Sequence, residues 1–164
     1  MGLLSMGHDP AILLGNIEGV AMSNHPHEDT IRAYYVGCST GNTDLMKSTF
    51  APDVTHYFPN TAPISGADAL ANNWASFNTK DRKAVWTVDR FMATENEAVI
   101  EWTMISTFLN EQRKEILRGA EWYQFREGKI AEIRAYYLWT PEHKISELIG
   151  FPYKARGYTL FDNQ

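Results

Sequence analysis

The chain has 164 residues, a formal net charge of −5 and 13% aromatic side chains. That length suits one domain around a single core. The charge balance, with no basic run, argues against nucleic acid as a partner, and no apolar run approaches the ~20 residues of a membrane span.

Residues 1–27 read as an N-terminal extension. The first 31 positions of the chain hold no Lys or Arg and the apolar stretch Ala11-Ile12-Leu13-Leu14 is short, which does not fit a secretory leader. Met6 stands where a myristoylation signal needs Ser or Thr, and Met22 offers an alternative start. His25 and His27 belong to a polar lead-in whose spacing does not suit a metal. Over 28–40, Ile31, Tyr34, Tyr35 and Cys38 recur at helical spacing, and Gly41-Asn42 ends that helix and caps a second, short one closed by Pro52-Asp53. Residues 54–58 form a strand, broken by Pro59-Asn60 and Pro63. A third helix runs from Gly66 to about Thr79, with Leu70, Trp74 and Phe77 on one face.

From residue 82 the period changes to two. Strands are predicted at 82–93, 98–109, 113–125 and 129–139, with turns at Glu95-Asn96, Asn110-Glu111 and Glu127-Gly128. Consecutive hairpins make a meander, and helices followed by an antiparallel sheet define an α+β order. Residues 141–164 are predicted as a short helix over 141–149, with Pro141 at its first position, and a tail.

Glu121 stands out because it lies among apolar and aromatic side chains in a strand that should be half buried, where an unpaired charge is costly. The alternate sets of 113–125 are both mixed, so parity leaves open whether Glu121 points inward or outward to Arg118 or Arg134. The odd positions of 129–139 are the more apolar and mark the concave face. His56, in the strand 54–58, can exchange a proton near neutral pH or serve as a semi-buried structural residue. Cys38 is the lone cysteine, which excludes an intrachain disulfide and is compatible with a cytoplasmic location; its place on the buried helix face suits a small core residue. No phosphate loop, nucleophile elbow or metal-ligand pattern is present, so neither a cofactor nor a metal is expected.

Tyr34-Tyr35…Gly41-Asn42, Phe50-Ala51-Pro52-Asp53-Val54-Thr55-His56, Ile64-Ser65-Gly66 and the run from Trp122 to Arg134 together resemble the SnoaL-like group of the nuclear transport factor 2-like superfamily, over about residues 28–140. The resemblance implies a cone-shaped barrel: a curved, mainly antiparallel sheet wrapped by three N-terminal helices, with a pocket at the open end. It also implies pairing of two copies through the sheet face. Laid on the ketosteroid isomerase pattern, Tyr34 matches a helix-1 tyrosine and Glu121 an inward sheet acid that together stabilise an oxyanion. That family's general base falls on Phe58, and His56 lies two residues earlier on the same face. The limonene epoxide hydrolase pattern needs a last-strand acid where Ala135 stands, which disfavours that chemistry.

The expectation is a cofactor-independent proton-transfer enzyme, of isomerase, cyclase or dehydratase type, acting on a small or medium apolar carbonyl compound. Its catalytic residues would be His56, Glu121 and Tyr34, and its pocket would be lined by Phe58, Trp74, Trp102, Met104, Tyr123, Ala135 and Tyr137. The alternative is a non-catalytic binding protein using the same cone, which the loss of the base at Phe58 supports.

Overall fold

The computed structural model describes residues 25–137 and 148–156. Helix α1 spans Pro26–Thr40, α2 Thr43–Thr49 and α3 Ala67–Ala75. Strands β1 (Phe50–Phe58) and β2 (Thr61–Ser65) lie between α2 and α3, and β3 (Arg82–Ala93), β4 (Glu97–Phe108), β5 (Arg113–Arg126) and β6 (Lys129–Tyr136) follow. The six strands form one sheet in the order β2-β1-β6-β5-β4-β3. All neighbours are antiparallel except β1 and β6, which run parallel. The α+β cone expected from the sequence is the fold observed, three helices on a curved, mainly antiparallel sheet.

Local chemistry explains most boundaries. Pro26 opens α1, and the His25 side chain caps it by accepting the His27 amide at 3.2 Å. His27 is buried, stacks on Phe125 with centroids 3.7 Å apart, and places Nε2 2.8 Å from the Glu95 carbonyl. These histidines are therefore structural parts of the domain, not a polar lead-in. Gly41 ends α1 at φ 69°, and Asn42 accepts the Leu45 amide to cap α2. Glu127 and Gly128 both have positive φ in the tight turn joining Arg126 to Lys129, the backbone that a two-residue hairpin needs.

Three expectations need correction. Pro52-Asp53 does not close α2: the chain is already extended at Phe50, because β1 pairs with β6 from Phe50↔Ile130 onward. Pro63 does not exclude a strand, because β2 is at the edge of the sheet, where a missing amide is tolerated. Helix α3 ends at Ala75, four residues early. Asn78 stops it by donating to the Cys38 carbonyl at 2.8 Å and accepting the Ala84 amide at 3.1 Å, which ties the segment to α1 and β3. The predicted helix over 141–149 lies outside the described residues except for its end, where Leu148 bridges Pro59.

The register decides which face each side chain takes. Glu121 lies opposite Ile100 on β4 and Ala135 on β6, and Tyr123 lies opposite Ile133, which also faces His56 on β1. Paired residues share a face, so one inward surface carries His56, Ile100, Trp102, Glu121, Tyr123, Ile133 and Ala135, all buried. Helix α1 closes this surface at one end with Ile31, Tyr34, Tyr35 and Cys38. At the other end the β2–α3 side leaves it open. The outer face of β6 is covered by the C-terminal segment: Arg156 pairs with Glu132 at 2.6 Å, and Arg134 lies over the Phe151 ring.

Candidate functional site

Glu121 faces inward and is only 4% exposed. Two tyrosines hold it. The Tyr35 hydroxyl donates to Oε2 at 2.9 Å, and the Tyr123 hydroxyl donates to the same oxygen. Oε1 lies 3.7 Å from Nε2 of His56, beyond hydrogen-bond reach. Burial destabilises the charged carboxylate and raises its pKa from 4.5 to about 7, while the two tyrosine donors pull the other way. Glu121 therefore stands between its two protonation states at neutral pH, the condition in which a side chain both accepts and returns a proton.

The carboxyl opens into a cavity of about 330 Å³. Phe58, Trp74, Trp102, Met104 and Tyr137 form its walls together with Phe77, Trp86 and Leu117. Thr61 and Asn73 add polar atoms on the side of β2 and α3. Trp74 meets Trp86 and Phe77 edge-on or tilted, with centroids 5.8 and 5.4 Å away, so the walls support one another. Tyr137, whose pKa is pushed up to about 12 mainly by burial and then by Glu121, is neutral at any ordinary pH. No Lys, Arg or His lines the cavity among the described residues, and no group of their His, Cys, Asp and Glu side chains is placed to hold a metal.

Several expected residues sit elsewhere. Tyr34 is not the tyrosine beside Glu121. It is fully buried one step around α1 and packed edge-on against Phe50 at 5.1 Å; its neighbour Tyr35 makes the contact. Tyr123 and Ala135 belong to the inward surface but lie behind Glu121 and do not border the cavity. His56 is wholly buried behind Phe58, its ring stacked at 4.0 Å and 13°, and likewise does not border the cavity. Neither ring nitrogen has a hydrogen-bond partner, and burial lowers its pKa from 6.5 to about 3. His56 is thus a neutral imidazole beside the carboxyl and a poor proton acceptor. Trp86, Phe77 and Leu117 are among the cavity residues that sequence reasoning missed, although the alternation Ala84, Trp86, Val88 in β3 carried the signal for the first.

Residues 31–133 match the family model of the SnoaL-like domain, and the chain belongs to that family. A protein of unknown function with a cystatin-like fold from Methylobium petroleophilum PM1 is 32% identical, with a TM-score of 0.71 over 87% of this chain and 96% of that one. A candidate polyketide cyclase from Xanthomonas campestris pv. campestris is 19% identical (TM-score 0.60; 69% of this chain, 90% of that one). An epoxide hydrolase of LEH-like type from M. tuberculosis is 12% identical (TM-score 0.60; 69% and 83%). At such identities the last two show the fold alone. No curated protein matches the chain.

Proposed function

We propose that the protein is a cofactor-independent proton-transfer enzyme, of isomerase, cyclase or dehydratase type, acting on a small or medium apolar carbonyl compound held in the cone. The observation that carries this reading is the buried Glu121 carboxyl, held from behind by Tyr35 and Tyr123 and opening into an apolar cavity with a pKa near neutrality. Glu121 in its ionised form removes a proton from the carbon next to the carbonyl. The resulting carboxylic acid returns that proton to another carbon, or to a leaving oxygen. Tyr35 and Tyr123 fix the carboxyl in place and limit how far burial raises its pKa. Neutral His56 packs beside it and keeps water from Oε1. The aromatic walls exclude water from the enolate, which strengthens every hydrogen bond to it.

The test does not require the natural substrate. Exchange of the α-hydrogens of 2-tetralone for deuterium, followed by NMR in D₂O, reports enolisation directly. The protein should accelerate exchange, and Glu121→Gln should lower that rate by about 10²–10⁴-fold, the usual span for a lost acid–base group. Equal rates for the two proteins would sink the assignment.

Phe58, which lines the cavity where the isomerase pattern has its base, supports the second reading, a binding protein without catalysis. The two separate in the same experiment, since a binder holds ligand without exchanging it. For self-association, Val85, Ile105 and Ile116 lie opposite one another on the outer face of β3, β4 and β5, and all three are exposed. This stripe supports pairing of two copies through the sheet.

A further inference from the structure

The nitrogen of Trp102 is an unexplained donor in the wall of the cavity. Trp102 is 4% exposed, and its Nε1 is buried with no hydrogen-bond partner in the protein. Buried polar groups are almost always paired, so an orphaned indole N–H beside an open cavity calls for a partner that enters the cavity. Trp74, on the α3 side of the same cavity, carries a second buried Nε1 in the same condition.

The position of the Trp102 ring is built into the sheet. The β4–β5 register puts Trp102 opposite Gly119. A Cβ at 119 would come within 2.8 Å of Cζ2 and 3.0 Å of Cε2 of that indole, so only glycine lets the ring lie across β5. Nε1 is bonded to Cε2, which sets the N–H over that strand. The inward neighbours of Gly119 along β5 are Leu117 and Glu121, and both line the cavity. Tyr137 meets the ring edge-on at 5.7 Å and holds it from the β6 side.

We infer that the Trp102 indole N–H is a ligand-recognising hydrogen-bond donor, held in place by Gly119, and that it binds an oxygen of the ligand beside Glu121. This rests on the reading that the cavity holds an apolar carbonyl compound. It narrows that class to neutral, oxygenated, ring-sized molecules: the wall offers N–H donors and one shared proton, and no cation among the described residues that would pair with a carboxylate or phosphate. If the ligand is enolised, the same N–H supports the oxygen as it gains charge.

The test uses two probes of similar shape, 2-naphthol, which carries an enol-like oxygen, and 2-methylnaphthalene, which carries none. In the wild-type protein the Trp102 indole proton, followed by ¹H–¹⁵N NMR, should move downfield with 2-naphthol and stay close to its free position with 2-methylnaphthalene. Trp102→Phe should reduce the preference for 2-naphthol over 2-methylnaphthalene about tenfold, the size of one ligand hydrogen bond. Comparing the two probes cancels the packing that the smaller ring loses. If 2-naphthol binds and neither the indole proton nor the preference responds, the role of Trp102 is overturned and the cavity reading stands. If the wild type binds neither probe, both fall. The indole shift decides the matter without any variant, should Trp102→Phe fail to fold.

Discussion

Replacing Glu121 by Gln keeps the shape of the side chain and removes its titration, so the two proteins should differ in how stability depends on pH. The folded protein holds the Glu121 proton up to about pH 7, whereas an exposed glutamate loses it near 4.5. Protonated Glu121 therefore contributes its full stability below about pH 4.5 and loses it as pH rises to about 7. At about 1.4 kcal/mol per pKa unit, the loss is about 3 kcal/mol, undiminished by solvent because the group is buried. His56 works in the opposite sense. Its folded pKa is depressed from 6.5 to about 3, so its contribution is complete above 6.5 and is lost on acidification toward 3. Between 4.5 and 6.5 the two slopes oppose each other in the wild type, and this masks both. In Glu121→Gln only the histidine slope remains. Urea denaturation of both proteins from pH 4 to 8.5 should then show the variant gaining about 3 kcal/mol relative to wild type across that range, most of it between pH 4.5 and 7. A difference that stays constant with pH would mean that Glu121 titrates as an exposed acid, and the reasoning from burial would fail.

Three other outcomes follow from the same geometry. Tyr35→Phe removes a donor to the Glu121 carboxylate and should raise the Glu121 pKa, read by ¹³C NMR of the side-chain carboxyl, whereas Tyr34→Phe should leave it in place. Gly119→Ala forces a methyl against Trp102 and the Tyr136 carbonyl and should destabilise the protein by about 1–3 kcal/mol in chemical denaturation, as overpacking does. Ile116→Glu, at a side chain that is 69% exposed, should change monomer stability by no more than about 0.5 kcal/mol while shifting the protein to monomer in sedimentation; an unchanged sedimentation coefficient would remove this stripe from any interface.

Much of the frame was legible because strong local signals mark it. Gly41-Asn42 punctuates two helices and Glu127-Gly128 makes a tight hairpin, and the change of period at residue 82 announces the meander. Glu121 was legible as a misfit, an acid amid aromatic residues. Its orientation was not, because both alternate sets of β5 are mixed; only pairing with Ile100 and Ala135 settles the face. The choice between Tyr34 and Tyr35 was hidden for a similar reason. Both belong to the buried stripe of α1, and which hydroxyl meets β5 depends on how the helix is rolled against the sheet. The strand holding Pro63 was hidden because the tolerance of proline depends on edge position, a property of the assembled sheet. His56 shows the limit most plainly. Its residue type suggests a proton acceptor, but its chemistry is set by the Phe58 ring stacked on it and by its complete burial, neither of which a single strand reveals.

The most direct test of the account is the pH profile of deuterium exchange into 2-tetralone. If Glu121 is the proton acceptor, the protein-dependent rate rises with pH and levels off with an apparent pKa near 7, the value to which burial raises the carboxyl, and Glu121→Gln abolishes both the rate and its midpoint. A protein-dependent rate that has no midpoint near neutrality, or that survives in Glu121→Gln, would contradict it.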